Sequence, residues 1–482
     1  MSVSRLVPAA VLLAAGVLFF ARLGDRAVVS EELRWAEVAR EMRLSGDPLR
    51  PTINGQIYYD KPLGSYWLIV ATSVLTGEVD EATARLPAAV AGWVGVLLVM
   101  LLAARLYDRP TAILAGAVLA TCWGFAFYAR RATADAETAT GVLAAVLLYA
   151  RAGGRGGPWV VGLWLLMAAT SLTKGLLGFA LPLLVLGVDG TLAGRAAGHP
   201  WWRAVVAGNR WLFTRWSLLA VPVGVLVYAA PFVGSMAAGG SAVGVEMVLR
   251  ENVRRFVAPH NHTGPAYLYV GAIAVLAAPW AAFLPAALCR PPLRTDGDRL
   301  ARVYFWAVFL FFTASASRRS YYLLPVLPAA ALLVARVLTA ADLGPVARRL
   351  RSIGYSVVGL AVAAGVGAVL LPADWRPAAW RELPELPGRG WVAAGAAVLA
   401  LFWASRRVRD SELGTRNSVL GTAVVAFLGV GYALLVALPA ADAVRTRRAF
   451  AAEVRDRTAD APGRLALFRA RDAVFDLAPP AP

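Results

Sequence analysis

The sequence predicts an all-α integral membrane protein, and three observations carry that expectation. Hydrophobic residues fill 59% of the 482 positions and charged residues only 16%. The apolar residues gather into repeated runs of about 20, the length that crosses a bilayer as a helix. The arginines fall unevenly between those runs, as they do when cytoplasmic loops keep the excess of positive charge. Read in order, the runs give about 13 transmembrane helices: 6–23, 86–104, 111–129, 138–150, 158–173, 175–188, 218–236, 266–288, 303–317, 320–335, 354–371, 390–405 and 417–438. With a cytoplasmic N-terminus, the cytoplasmic side holds 21 basic and seven acidic residues, and most of the formal charge of +18 lies there. The basic balance is therefore a topology signal and implies no nucleic-acid partner.

The first run, 6–23, has only Arg5 in front of it and no small-residue cleavage site behind it, which predicts a retained span rather than a signal peptide. Residues 24–85 then form the first extracytoplasmic loop. Within it, Glu31, Glu32, Arg34, Glu37, Arg40, Glu41 and Arg43 interleave with Trp35, Val38, Ala39 and Met42 at helical period, so an interfacial amphipathic helix is expected. Ser30 is its expected N-cap, two glutamates occupy the first turn where the helix dipole favours anions, and Ser45-Gly46 ends it. The apolar stretch 63–75 follows Pro62 and is too short to cross, which predicts a second interfacial or re-entrant helix.

Further along, the outer turns bring out Arg130, Arg131, Asp135 and Glu137 after the third span, and Lys174 in LTKG between the fifth and sixth. A loop with Glu246, Arg254, Arg255, His260 and His262 follows the seventh, and SASRRSYYLLP, with Arg318, Arg319, Tyr321 and Tyr322, joins the ninth to the tenth. Of the 48 basic residues only Lys61 and Lys174 are lysines, and both fall on this face, where a compact ammonium is wanted. Cys122 and Cys289 are poorly placed to pair, so no disulfide is expected. Residues 1–438 thus form one polytopic domain, and 439–482 a short extracytoplasmic segment with a helix expected at 450–457 and a strand at 464–468.

The outer face collects carboxylates at Glu31, Glu32, Asp60 and Asp135, cations at Arg34, Lys61, Arg130, Arg254 and Arg255, and hydroxyls at Tyr58, Tyr59 and Tyr322. A carboxylate can take the proton of an attacking hydroxyl while a clamp of Lys and Arg stabilises charge on a departing phosphate. There is no Gly-rich phosphate loop, so a nucleotide donor is not indicated. A lipid donor would explain a site at the membrane surface.

EELRWAE at 31–37, NGQIYYDKP at 54–62, RRATAD at 130–135, LTKG at 172–175, RRFVAP with HNHTGP at 254–265, and SASRRSYYLLP at 315–325 resemble, in order, the landmarks of the GT-C glycosyltransferases. The resemblance is to the bacterial lipid A aminoarabinose transferases and their relatives, which are similar to protein O-mannosyltransferases. It implies a GT-C-like fold in the inner membrane and an inverting enzyme. That enzyme would pass a sugar from a polyprenyl-phosphate donor to a lipid, glycan or protein acceptor outside the cytoplasm. By that resemblance Glu31 falls where the family has its first-loop Asp, Glu32 where it has Glu, and Asp135 matches the second-loop Asp. Arg34, Lys61 and Arg255 match positions around the carrier phosphate, and Tyr322 matches the tyrosine of the YxLP turn. Tyr59, Asp60, Arg130 and Lys174 complete the expected substrate-binding set.

The sequence departs from the pattern at Glu31, one methylene longer than Asp, at Asp60 in place of Glu, and at Asn252 in place of His. The last two weaken the divalent-metal site of that branch, and no other cofactor is implied. Two other readings stand beside the transferase: a transporter or flippase of polyprenyl-linked glycans, and a non-catalytic scaffold subunit. The first wants ionisable residues near mid-membrane and an internal repeat, whereas here the outer charges gather at one surface and no repeat shows.

Overall fold

The computed structural model describes residues 3–59, 61–237, 264–291, 295–340, 343–370, 412–445, 453–454 and 456–457. Helices dominate them. α1 (Val3–Phe20) leads into the first loop, which holds α2 (Glu31–Ser45), a two-stranded antiparallel ribbon of β1 (Thr52–Ile53) and β2 (Gln56–Ile57), and α3 (Gly64–Thr72). A bundle follows: α4 (Glu81–Leu106), α5 (Arg109–Thr121), α6 (Trp123–Tyr128), α7 (Asp135–Ala152), α8 (Trp159–Lys174), α9 (Leu177–Ala196), α10 (Trp201–Gly208) and α11 (Arg215–Ala237). After residue 263 come α12 (Leu268–Leu276), α13 (Leu284–Cys289), α14 (Asp296–Ala314), a 3-10 turn Ser320–Val326 running into α15 (Leu327–Thr339), then α16 (Pro345–Leu370), α17 (Glu412–Tyr432) and α18 (Leu438–Arg445).

Helices lie where the apolar runs predicted them, with the run 390–405 outside the described residues. Among the described residues five are long and apolar enough to cross a membrane alone: Glu81–Leu106, Leu177–Ala196, Arg215–Ala237, Ser320–Thr339 and Val419–Asp442. Two expected spans are broken. The run 111–129 turns at Cys122, where the backbone becomes extended and Trp123 N–H donates to Ala278 O at 2.8 Å. The run 266–288 bends by 114° between Leu268–Leu276 and Trp280–Cys289, at Pro279, which has no N–H to give a helix. Of the expected tail elements, only 453–454 and 456–457 are described, and they are helical; the strand at 464–468 lies outside.

The core sits among α4, α5, α7, α8 and α15, and α15 is the most enclosed of the candidate spans. Small residues let these helices close up, since a Cβ at Gly95 would stand 2.7 Å from Thr140 Oγ1, and one at Gly141 2.2 Å from Thr170 Oγ1. A second apolar cluster lies under the first loop. There the predicted stripe of α2, Trp35, Val38, Ala39 and Met42, packs with Tyr59, Leu63, Tyr66, Ala132, Ala134, Ala168, Tyr228 and Phe232. This cluster seats the loop on the bundle.

Candidate active site

The site is built outward from the first turn of α2. Gly46 ends that helix in the left-handed conformation, as expected of a C-terminal glycine. Ser30 does not cap it: the side chain makes no capping bond, and its φ of 57° puts a non-glycine residue in a conformation that costs on the order of 1 kcal/mol. What holds the helix start is Glu32. Its carboxylate accepts from Arg85 Nε at 2.9 Å and Nη2 at 3.2 Å and from Ala132 N–H at 2.9 Å, with Arg131 Nη2 3.5 Å away. Burial pushes the Glu32 carboxyl up, but Arg85 and Arg131 together outweigh it and hold it below the usual range. Glu32 was expected in the catalytic set; it is sealed, 1% exposed, and serves as the anchor of the loop.

Arg85 completes that anchor by donating to Leu23 O, Arg26 O and Ala27 O at 3.0, 2.7 and 2.8 Å. Arg130, an expected substrate contact, is used in the same way: it donates to Leu18 O at 2.6 Å and Phe19 O at 3.2 Å and ties down the carbonyl end of α1.

Beside this fixed framework Glu31 stays open, its side chain 28% exposed. Arg319 Nη1 donates to Glu31 Oε1 and, at 2.7 Å, to Tyr321 Oη, while Tyr321 O–H reaches Glu31 Oε2 at 3.2 Å. Burial raises the Glu31 carboxyl, but Arg319, then Arg34 and the tyrosine, bring it down below its ordinary value. Arg34 Nη1 also donates to Tyr58 Oη at 3.1 Å.

Lys174 Nζ stands 5.2 Å above the Tyr321 ring and 5.7 Å from that of Tyr322, and forms an ion pair with buried Asp135. The two tyrosine rings meet edge to face at 5.2 Å. Glu31, Arg34, Asp135, Lys174, Tyr321 and Tyr322 thus belong to one cluster, drawn from four segments of the chain.

Tyr59 is buried, its ring 6.0 Å from Phe232. Half-buried Lys61 follows it, just ahead of α3, whose Ser65 O–H donates to Thr173 O, next to Lys174. Asp60, Arg254, Arg255, Asn252, His260 and His262 lie outside the described residues. Among the described residues no cluster of three His, Cys, Asp or Glu is placed to hold a metal ion.

Sequence reasoning left three members unassigned. Arg85 stands alone at the head of a long apolar run, and a lone cation there was a signal for a buried partner. Arg319 and Tyr321 belong to doublets, and the spacing of RRSYY does not say which of each pair turns inward. Arg318 in fact turns away, donating to Gly264 O and Thr313 O.

The sequence pattern of the dolichyl-phosphate-mannose-protein mannosyltransferase family matches residues 60–233. An undecaprenyl phosphate-alpha-4-amino-4-deoxy-L-arabinose arabinosyl transferase of Pseudomonas paraeruginosa is 29% identical over 403 residues, covering 80% of this chain and 70% of the relative. One of the same description from Pseudomonas aeruginosa is 30% identical over 342 residues, 68% of this chain and 58% of the relative. Among solved structures, ArnT from Cupriavidus metallidurans bound to undecaprenyl phosphate superposes with a TM-score of 0.65 at 24% identity, covering 98% of this chain and 84% of that one. At that identity the superposition is a likeness of fold.

Proposed function

We propose that this chain, a GT-C fold protein resembling the bacterial lipid A aminoarabinose transferases, is a membrane glycosyltransferase that takes a sugar from a polyprenyl-phosphate donor. The observation that carries the reading is the arrangement at the start of α2. There a partly open carboxylate, Glu31, is held on a sealed framework beside Tyr321, within a cluster that also contains Arg34 and Lys174.

In the transfer, Glu31 takes the proton of the acceptor hydroxyl as its oxygen bonds to the anomeric carbon from the face opposite the phosphate. The anomeric C–O bond breaks with its electron pair passing to the phosphate oxygen, and free polyprenyl phosphate leaves with the configuration of the sugar inverted. Arg34, Lys61, Lys174 and Arg255 stabilise the charge that gathers on that phosphate. Asp135, through its ion pair, fixes the ammonium of Lys174 over the two tyrosine rings. Asp60 and Asn252 give no support to a metal. The arabinosyl transferases that the chain resembles support undecaprenyl phosphate as carrier. The acceptor is a lipid, glycan or protein met outside the cytoplasm. The protein sits in the inner membrane with its N-terminus inside and the Glu31 end outside, as the arginine distribution supports.

The test is release of free undecaprenyl phosphate from undecaprenyl-phosphate sugars by the purified full-length protein in lipid. Wild type is expected to release it, and Glu31→Gln, folded to the same melting temperature, is expected not to. Full turnover by Glu31→Gln, or none by wild type with any such donor, refutes the assignment.

A further inference from the structure

We infer that Arg319 is handed from Glu31 to the donor phosphate, so that donor binding itself turns Glu31 into an effective base. The inference rests on the transferase reading and adds to it a residue and a coupling. In the structure Arg319 Nη1 is shared between Glu31 Oε1 and Tyr321 Oη, and the guanidinium lies 5.5 Å from the centre of the Tyr321 ring. A carboxylate paired in this way is a weak base, because the ion pair stabilises the charge that protonation would remove. Exposure shows which cation can move. Arg85, Arg130 and Arg131 are spent on backbone carbonyls and Glu32. Lys174 is 15% exposed and bound to a carboxylate 6% exposed. Arg319 and Glu31, at 26% and 28%, are by contrast both open to an incoming ligand.

A phosphate monoester or diester offers a guanidinium two oxygens in a plane and at least the charge of a carboxylate, so it can replace Glu31 as partner. The movement is one of the Arg319 side chain, since its backbone lies at the start of the packed turn Ser320–Val326. Tyr321 O–H stays on Glu31 Oε2 and keeps the freed carboxylate oriented. With its cation gone, Glu31 gains proton affinity at the moment an acceptor hydroxyl can use it. Before that moment the pair keeps the carboxylate out of play.

A hand-off makes the two partners compete, which gives a reciprocal signature in binding. The probe is undecaprenyl phosphate, titrated into the full-length protein in nanodiscs. Glu31→Gln, though inactive, should bind it about tenfold more tightly than wild type, because Arg319 no longer has to leave a carboxylate. Arg319→Gln should bind about tenfold more weakly, and adding Glu31→Gln to it should give no further gain. Arg319→Met serves the same comparison if Arg319→Gln does not accumulate.

A gain from Glu31→Gln that persists without Arg319 would mean that the carboxylate merely repels phosphate, and the hand-off is overturned. It is overturned equally if wild type binds the probe and Glu31→Gln binds it no better. If wild type itself fails to bind undecaprenyl phosphate, the transferase reading falls instead.

Discussion

The bundle has a charged layer at each end, and the two are built differently. At the end away from Glu31, Asp298 is fully enclosed between Arg290 and Arg302, with Arg302 Nη2 also donating to Arg290 O at 2.6 Å. Asp189 is closed in the same way by Arg299 at 2.9 Å and Tyr149 at 3.2 Å. These two acids have side chains 0% and 4% exposed and face guanidinium groups, which is what a buried ion pair needs to offset its desolvation, while Asp296 and Asp108 make only open surface pairs at that end. The Glu31 end contains both kinds. Glu32 repeats the closed pattern, while its neighbour Glu31 is left open with an open cation on it. Adjacent residues of one helix turn thus divide into anchor and reagent, and the anchor is what allows the reagent to be both exposed and fixed in place.

The largest expected difference between the two ends is in turnover. Glu31→Gln should lower transfer by about 10²- to 10⁴-fold, the range for loss of a positioned base, with little change in melting temperature. Asp298→Asn should do the reverse. It leaves two guanidinium groups without their acid and should cost about 3 kcal/mol of stability, while the protein that still folds keeps its turnover per molecule. Equal losses of turnover in both would erase the distinction. Next in size is the anchor: Arg85→Ala strands Glu32 in a buried position and should cost about 3–5 kcal/mol, read as a drop in melting temperature together with early proteolysis in the 24–85 loop. Proteolysis elsewhere first would show that Glu32 does not seat the loop.

Much of this plan is legible in the sequence, and the parts that are not share a cause. Apolar runs mark the helices because a span must satisfy its backbone internally and present apolar side chains for some 20 residues, a demand written in consecutive positions. The stripe of Trp35, Val38, Ala39 and Met42 is local in the same sense. The break at Cys122 is not, since it depends on Ala278 O arriving to meet Trp123 N–H, whereas Pro279 marks its own break in the sequence. The site residues divide likewise. Glu31, Asp135 and Lys174 stand in landmarks that can be matched in order along the chain. The role of Glu32 depends on Arg85, 53 positions later, and that of Arg319 on Glu31, 288 positions earlier. Composition and period carry no record of such pairings.

The acid side of the pH profile sharpens the comparison further. Arg319 and Arg34 hold the Glu31 carboxyl below 4.5 although burial opposes them. The acid limb of wild-type kcat/KM, which reports the free enzyme, should therefore lie below the ordinary range for a glutamate. In Arg319→Gln the opposing effect of burial remains, and the acid limb of kcat/KM should move upward. Glu32 contributes to stability with the same sign. Its folded value is lowered, so its stabilising effect is present above 4.5 and is lost as the pH falls through the folded value. Glu32→Gln should remove that part of the acid destabilisation, and an unchanged melting profile below pH 4.5 would count against the anchor.

The smallest expected effect tests how far the reagent side extends. Arg34 lies one turn along α2 from Glu31 and donates to Tyr58 Oη at 3.1 Å, a contact between the helix and the loop that carries Lys61. Tyr58→Phe removes the hydroxyl and keeps the ring. Because the bond is only partly buried, its loss should cost about 1 kcal/mol or less of stability. If Arg34 holds the donor phosphate, freeing it from the hydroxyl should be felt as a change of a few-fold in KM for the donor, with kcat nearly constant, the pattern of a lost positioning contact made equally before and during the reaction. A fall in kcat with KM unchanged would place Tyr58 with the reacting atoms instead. No change in either would confine the reagent side to Glu31, Arg319, Tyr321 and the Lys174–Asp135 pair, leaving Arg34 to the electrostatics of Glu31 alone.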